Sequence, residues 1–208
     1  MTLDEALAIC PVVAILRGVT PDEAPEIAGA LYEAGVRAVE APLNSPDPME
    51  SIRRLASEFS GRMACGAGTV LQPAQVDEVA AAGGVIIVSP NTRAEVIARA
   101  LELGLDPAPG FATATEAFQA LDAGARHLKL FPAATYGPAH LRQLEAVLPE
   151  RAVVWAVGGV GANEMADWWA VGARAFGIGS ELYRPGQSAQ ETLRKARGVV
   201  AAARALAP

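Results

Sequence analysis

The sequence predicts an α/β fold: a (β/α)8 TIM barrel of eight parallel strands surrounded by helices, with a short N-terminal helix. Eight short β-branched runs alternate strictly with eight alanine-rich helical runs, and such alternation implies a parallel sheet. Ala-Gly or Val-Gly pairs precede several of the strands, as glycine does where a helix ends. No Gly-x-Gly-x-x-Gly sequence follows the first strand, which favours a closed barrel over an open nucleotide-binding sheet.

The elements are assigned in chain order from these patterns. Leu3–Ile9 is expected to form the extra helix, with Thr2 and Glu5 as a capping box, and to close the bottom of the barrel. The predicted strands are residues 12–16, 36–40, 63–67, 85–88, 105–108, 127–131, 153–157 and 175–178. The predicted helices are residues 21–34, 48–59, 73–82, 93–103, 114–123, 138–148, 163–171 and 189–206.

Proline and glycine mark the two ends of these helices. Proline stands at or near four helix starts, where its missing N–H costs nothing, at Pro21, Pro48, Pro73 and Pro138. Glycine ends five helices, at Gly35, Gly83, Gly104, Gly124 and Gly172. No linker-like stretch divides the chain, so residues 1–208 are expected to form one catalytic barrel domain.

Charge and cysteine content limit the partners and the compartment. The net charge of −6 argues against nucleic acid, because phosphate-backbone binding needs clustered basic residues. No apolar run approaches the ~20 residues of a membrane span. Asp4 and Glu5 stand where a signal peptide carries basic residues, and Cys10 and Cys65 form neither a metal motif nor a disulfide framework. A cytoplasmic protein is expected.

Metal or cofactor chemistry is not expected either. The two histidines, His127 and His140, lie far apart on different kinds of element, so they do not form a ligand cluster. His127 is interpreted as a core residue. The three tryptophans are expected to pack helices against the barrel, namely Trp155, Trp168 and Trp169.

Lys129 is the first candidate for chemistry. It is one of only two lysines, against fifteen arginines, and it lies within the predicted sixth strand. Lysine is almost never fully buried without a partner or a function. Burial lowers the pKa of an ammonium group, and a neutral amine attacks a carbonyl carbon to form a Schiff base. Strand alternation directs Lys129 and Phe131 into the barrel and Leu128 outward.

Glu40, at the end of the predicted second strand, is expected to face the same cavity. It lies on the side of its strand that carries Ala38, a small residue of the type that fills a barrel lumen. Schiff-base chemistry needs an acid/base group as well as an amine. A buried Lys–Glu ion pair without chemistry is the alternative, but such a pair is costly unless it is well bonded.

Polar groups also gather at the carboxyl ends of the other strands, where barrels place their active sites. Arg17 can bind a carboxylate or a hydroxyl group through its planar guanidinium group. Thr69 can form a hydrogen bond with a carboxylate through its hydroxyl group. Gly158, Gly159, Gly179 and Ser180 follow the last two strands, where backbone N–H groups commonly bind phosphate. Pro90, after the fourth strand, is a further substrate-binding candidate.

These motifs together resemble the 2-keto-3-deoxy-6-phosphogluconate and phosphogalactonate aldolase family over nearly the whole chain. The similarity lies in segments 14–18, 39–46, 66–70, 88–91, 109–117, 128–132, 156–160 and 177–180. The resemblance implies a class I aldolase, typically a homotrimer. It implies that Lys129 forms the Schiff base, that Glu40 shuttles protons, and that Thr69 contacts the pyruvate carboxylate with Arg17 close by. Gly158, Gly159 and Ser180 would hold the phosphate.

The resemblance also bears on the substrate. The gluconate branch carries Leu-Arg-Thr after the glutamate, whereas this chain has Leu43-Asn44-Ser45-Pro46 and an arginine at Arg17. That pattern implies reversible cleavage of 2-dehydro-3-deoxy-6-phospho-D-galactonate to pyruvate and D-glyceraldehyde 3-phosphate. The alternatives are the gluconate epimer, 4-hydroxy-2-oxoglutarate, a phosphate-sugar isomerase and a non-catalytic phosphometabolite-binding barrel.

Overall fold

The computed structural model describes residues 1–206, which form ten helices and nine strands. The strands are β1 Val12–Ile15, β2 Ala38–Pro42, β3 Ala64–Gly68, β4 Ile86–Val88, β5 Asp106–Ala108, β6 Gly110–Phe111, β7 His127–Leu130, β8 Val153–Val157 and β9 Ala175–Ile178. The helices are α1 Leu3–Ile9, α2 Ala24–Ala34, α3 Pro48–Glu58, α4 Pro73–Ala81, α5 Ala94–Glu102, α6 Ala114–Asp122, α7 Ala133–Tyr136, α8 Pro138–Glu145, α9 Met165–Trp169 and α10 Ala189–Arg204.

The strands form a single sheet that closes almost completely on itself. Its order is β5-β4-β3-β2-β1-β9-β8-β7-β6, and every pairing is parallel. The two outermost strands in this order, β5 and β6, follow one another in the chain with only Pro109 between them. The carbonyl of Pro109 accepts a hydrogen bond from the Lys129 N–H at 2.9 Å. The α/β barrel architecture is therefore confirmed in outline.

The strand count differs from the predicted eight because a short strand, β6, follows the fifth predicted strand at residues for which no strand was predicted. β5 pairs with β4, whereas β6 pairs with β7 on the other side. Pro109 has no N–H to donate to a ladder, so regular pairing stops at that residue.

The core has two layers, as strand alternation requires. Leu128 and Leu130 belong to the large outer cluster between sheet and helices. Val13, Ala38 and Trp155 belong to a smaller cluster inside the barrel, and Phe131 packs against that inner cluster. The predicted inward and outward faces of the Lys129 strand are thus confirmed.

α1 closes the bottom of the barrel. Thr2 and Glu5 form the predicted capping box, and Leu3 packs within the inner cluster. The Leu3 N–H donates to Oδ2 of Asp106 at 3.0 Å, and Asp4 Oδ1 lies 3.2 Å from Nε2 of His127. The helix is therefore held by apolar and polar contacts together.

The other helices differ from prediction mainly at their ends. α2 begins at Ala24 rather than at residue 21, because Glu23 Oε2 accepts hydrogen bonds from the N–H and hydroxyl of Thr20 in a preceding turn. α9 is shorter than residues 163–171 at both ends. The four-residue helix α7 was not predicted from the sequence. None of the described helices is both long and apolar enough to span a membrane.

Candidate active site

A cleft of about 830 Å³ lies at the carboxyl ends of β1, β7, β8 and β9. Each of these strands contributes residues that the sequence singled out as candidates. Seven of the ten predicted site residues line the cleft, namely Arg17, Lys129, Phe131, Gly158, Gly159, Gly179 and Ser180. Glu40 lines a small chamber beneath it, and Lys129 lines both spaces. The lysine therefore stands between the open cleft and the barrel interior.

Lys129 is held in the middle of β7, between β6 and β8. Its register partners are Gly110 and Trp155, and its side chain is only 6% exposed. Burial lowers the pKa of its ammonium group, with Arg17 adding to the lowering and the Glu40 carboxylate opposing it. The Nζ atom lies 4.7 Å from the centre of the Phe131 ring. Nearby positive charge and burial both favour the neutral amine.

Glu40 is the acid/base candidate in the chamber. It lies on β2 and is 2% exposed. Its Oε2 is buried without a hydrogen-bond partner among the described residues. Burial raises the pKa of this carboxyl from 4.5 to about 7, against the opposing influence of Lys129 and Arg17. A pKa near neutral pH suits a group that both accepts and donates protons.

Gly68 makes room for the Glu40 carboxyl group. A Cβ atom added at Gly68 would lie 2.0 Å from Oε2 and 2.4 Å from Oε1 of Glu40. Real Cβ atoms do not come this close to other heavy atoms. The end of β3 is thus shaped around the carboxyl group of β2, and Thr69 follows directly.

Thr69 has a strained backbone. Its φ of 60° places a β-branched residue in the left-handed region, which glycine adopts readily and threonine rarely. Such a conformation costs about 1–3 kcal/mol and persists only where the surrounding structure fixes it. Thr69 does not line the large cleft, but it follows the residue beneath the Glu40 carboxyl group.

Pro90 likewise is not among the residues that line the cleft. It comes two residues after β4, and its backbone packs closely against Gly110. A Cβ atom at Gly110 would lie 2.3 Å from the Pro90 carbonyl carbon. Pro90 is thereby held next to the division between β5 and β6.

The predicted phosphate site is formed by two loops, which follow β8 and β9. Gly158 and Gly159 have φ values of 97° and 70°, and a Cβ atom at Gly159 would lie 2.6 Å from that of Ala134. After β9, the Gly179 carbonyl accepts hydrogen bonds from the next turn, and Ser180 is exposed. Within residues 1–206, the N–H groups of Gly159 and Ser180 donate to no protein acceptor. Both are free to bind an anion.

Arg17 is fixed by the loop after β2. Its Nη1 donates to Oδ1 of Asn44 at 2.6 Å, and the neighbouring Gly18 N–H donates to Oγ of Ser45 at 2.9 Å. Sequence reasoning noted Asn44 and Ser45 only as a departure from the gluconate pattern. Their contact with Arg17 and Gly18 joins residues 27 positions apart.

Two further basic residues line the cleft and were missed. Arg184 comes from the loop before α10, and Lys195 from α10 itself. A signal was present for Lys195, because it is the second of only two lysines in the chain, and both line this cleft. Because Lys195 lies on an outer helix, the pattern of polar groups at strand ends did not indicate it.

Trp155 was expected to pack a helix against the barrel. It lies beside Lys129 in the inner cluster, which also contains Leu3, Ala6 and Leu7 of α1, so the helix that shares its cluster is α1 and not one of the outer helices. Its Nε1 donates to Nδ1 of His127 at 3.2 Å, so the interpretation of His127 as a core residue is confirmed. Trp155 shares the inner face of β8 with Val153 and Val157, whereas Val154 and Ala156 belong to the outer cluster, and that alternation could have shown its direction. Among residues 1–206, no cluster of three or more potential ligand residues could hold a metal ion.

Comparison with known proteins gives consistent matches over most of the chain. A family model described as aldolase, KDPG and KHG aldolase, matches residues 3–196. The 2-dehydro-3-deoxy-6-phosphogalactonate aldolase of Escherichia coli (strain K12) is 49% identical over 194 residues, which cover 93% of this chain and 95% of that protein. A probable aldolase of the same description from Rhizobium meliloti (strain 1021) is 46% identical, covering 92% and 91%. A solved structure described as native KDPGal is similar with a TM-score of 0.93 and 48% identity, covering 94% of this chain and 95% of the other.

Proposed function

The chain belongs to the KDPG and KHG aldolase family, and we propose from that membership that it cleaves 2-dehydro-3-deoxy-6-phospho-D-galactonate to pyruvate and D-glyceraldehyde 3-phosphate. The protein is an aldolase, a carbon–carbon lyase that works through a Schiff base. The observation that carries the proposal is the chamber shared by Lys129 and Glu40. In it a buried amine of lowered pKa lies with a carboxyl group whose pKa is about 7.

Lys129 begins the reaction by attacking the C2 keto carbon as a neutral amine. Glu40 donates a proton to the oxygen of the resulting carbinolamine, which leaves as water, and a protonated imine remains on Nζ. A carboxyl group with a pKa near 7 is partly protonated at neutral pH and can serve as this acid. The positively charged imine can then accept the electron pair of the C3–C4 bond when that bond breaks.

Glu40, now ionised, takes the proton from the C4 hydroxyl, directly or through a water molecule. The C3–C4 bond breaks, its electron pair moves to the imine nitrogen, and D-glyceraldehyde 3-phosphate leaves. The enamine that remains takes a proton at C3. Hydrolysis of the pyruvate imine then returns the Lys129 amine. Each proton that Glu40 takes up is given back within the cycle.

Substrate binding is assigned to the groups around this chemistry. Thr69 would hold the pyruvate carboxylate, and Phe131 and Pro90 would bound the pyruvate half on its apolar side. The distal phosphate would lie against backbone N–H groups and a hydroxyl, supplied by Gly158, Gly159, Gly179 and Ser180. Support comes from the free N–H groups of Gly159 and Ser180, because such groups in adjacent loops suit an anion.

The preference for the galactonate epimer rests on Arg17 and on the relatives. Of the two relatives described above, one is named a 2-dehydro-3-deoxy-6-phosphogalactonate aldolase and the other a probable one. Asn44 holds the Arg17 guanidinium at the edge of the cleft. From there Arg17 would contact the C4 hydroxyl or the carboxylate half, and so read the configuration at C4.

The decisive experiment compares both C4 epimers at matched concentrations. The galactonate epimer should give the higher kcat/KM, and Arg17→Ala should narrow the difference. Pyruvate with borohydride should inactivate the enzyme and leave its adduct on Lys129 rather than on Lys195. Preference for the gluconate epimer would overturn the substrate assignment only. An adduct on Lys195, or none, would overturn the mechanism.

Three broader properties complete the proposal. If β5 and β6 are counted as one strand interrupted at Pro109, residues 1–206 form a single (β/α)8 barrel domain; the last two residues of the expected domain 1–208 lie outside the described residues. Large apolar side chains exposed on several elements support a homotrimer, among them Leu101, Phe118 and Val147. Light scattering should then give three times 21.5 kDa. The two buried free thiols, Cys10 and Cys65, suit the reducing cytoplasm.

A further inference from the structure

The left-handed conformation of Thr69 needs a structural cause, because threonine does not adopt it freely. Backbone hydrogen bonds hold the residues on either side. The Gly68 carbonyl accepts from the Leu43 N–H at 2.8 Å, and the Val70 N–H donates to the Val88 carbonyl at 3.1 Å. These two bonds belong to the neighbouring strands β2 and β4. They leave the carbonyl of Val70 to be fixed by another group.

A buried side chain supplies that third bond. The hydroxyl of Ser89 donates to the Val70 carbonyl at 2.7 Å, and Ser89 is 4% exposed. Its own N–H donates to the Ala108 carbonyl of β5 at 3.2 Å. The hydroxyl is therefore anchored to the next strand on one side and fixes the segment after Thr69 on the other.

The position of this bond matters because regular pairing has already ended there. The register of β3 with β4 covers Gly66 with Ile86 and Ala67 with Ile87. Beyond that register, a backbone bond holds the Val70 N–H and the Ser89 hydroxyl holds the Val70 carbonyl, while the side chains of Gln75 and Arg93 hold Leu71. The Ser89 bond is the side-chain bond to Val70, the residue directly after Thr69. Its removal would leave the strand ladder intact.

We propose that Ser89 is a positioning residue of the aldolase. Through the Val70 carbonyl it keeps Thr69 in the left-handed conformation, which presents Thr69 to the pyruvate carboxylate beside Glu40. The inference rests on the proposed function, in which Thr69 binds that carboxylate. Ser89 touches neither substrate nor reacting atoms. It acts through the backbone of the segment that carries Thr69.

The first test is Ser89→Ala, assayed in the direction of pyruvate condensation. KM for pyruvate should rise about tenfold, since one buried hydrogen bond is worth roughly that factor. KM for D-glyceraldehyde 3-phosphate should stay at the wild-type value. The pyruvate concentration that half-saturates borohydride trapping on Lys129 should rise in parallel. Ser89→Cys keeps the size of the side chain but has a weaker hydrogen-bond donor. Its KM for pyruvate should therefore lie between those of the wild type and of Ser89→Ala.

Ser51→Ala is the matched control. Ser51 is also fully buried, and its hydroxyl donates to the Asp47 carbonyl at 3.4 Å on α3, away from the cleft. Its loss should lower stability without changing KM for pyruvate. A similar rise in KM for both variants would show a general effect of losing a buried hydroxyl and would overturn the proposal.

A double-mutant cycle with Thr69→Gly separates positioning from an independent role. Glycine adopts the left-handed conformation without help and has no hydroxyl, so Ser89→Ala should then add little to KM for pyruvate. Equal effects of Ser89→Ala in both backgrounds would overturn the inference. So would an unchanged KM in the single variant. Failure of the wild type to trap pyruvate on Lys129 would instead overturn the proposed function.

Discussion

At the scale of single residues, burial determines which groups can do chemistry. Lys129 and Glu40 are both almost completely buried, and burial moves their pKa values toward each other. The ammonium loses its charge more readily and the carboxyl retains its proton to a higher pH. Each change favours the neutral form, so the pair can hold a reactive amine and a proton donor at the same pH.

Replacement of Glu40 by Gln tests both the catalytic role and the raised pKa of this carboxyl group. Turnover should fall by roughly 10²–10⁴, the usual contribution of a general acid/base group, while slow trapping of pyruvate persists. The stability of the variant relative to the wild type should instead increase as the pH rises. Folded Glu40 keeps its proton up to about pH 7, whereas the unfolded chain releases it near 4.5. The wild type therefore loses stability as pH rises through that window, and the amide does not.

The measurement is urea unfolding of both proteins at pH 5 and pH 8. The stability of Glu40→Gln relative to wild type should increase by on the order of 2 kcal/mol between those values. A difference that is independent of pH would contradict the raised pKa. Near-wild-type turnover would make Glu40 only an ion-pair partner of Lys129.

At the scale of elements, the loops and the N-terminal helix have separate tasks. The loops after β8 and β9 present free N–H groups at the top of the barrel, and α1 fills the bottom. Each task depends on a few close contacts. The two ends can therefore be perturbed independently, one affecting substrate binding and the other stability.

Gly159→Ala should impair phosphate binding. The change adds a Cβ atom at a φ of 70° and 2.6 Å from that of Ala134. KM for the phosphorylated substrate should rise at least about tenfold, while cleavage of a non-phosphorylated analogue changes little. Adding Ala134→Gly removes the collision but should not restore KM, because the backbone remains strained.

Gly104→Ala provides the control for that strain. Gly104 has a φ of 69°, and a Cβ atom there would meet nothing within 4 Å. It follows α5, away from the cleft, so stability should fall without a change in KM. If Gly159→Ala leaves phosphorylated cleavage intact, the phosphate site lies elsewhere.

Leu3→Ala tests the role of α1 as the barrel closure. Leu3 is 0% exposed and packs in the inner cluster, so its truncation leaves a cavity that costs about 2–5 kcal/mol. Ile9→Ala, at a side chain of the same helix that is 56% exposed, should cost much less. Urea unfolding of both variants checks the difference. Equal losses would show that α1 does not contribute to the core.

At the scale of the whole molecule, the barrel brings residues from distant parts of the chain to one end. That end supplies an amine, a carboxyl group, free N–H groups and arginine. Because the proposed mechanism uses an imine as its electron sink, it needs no metal. Exhaustive treatment with EDTA should therefore leave kcat and KM unchanged. Activity that disappears and returns with a divalent metal would contradict the assigned role of Lys129.

Local patterns in the sequence predicted the kind of every element except β6 and α7, and much of the site. Alternation along the Lys129 strand gave its inward face, and Thr2 with Glu5 gave the start of α1. These signals work because they depend on neighbours a few residues apart. They also place strand ends at one edge of a parallel sheet, which is why seven candidates lie in one cleft.

Tertiary structure decided what depends on distances between elements. The bond from Arg17 to Asn44, the strained φ of Thr69 and the bond from Ser89 to Val70 all arise where different strands and loops meet. The pKa of Glu40 depends on how completely the closed barrel excludes water. The sequence by itself determined which residues could act, since residue type and strand position are local properties. Their separations, conformations and pKa values required the barrel to close around them.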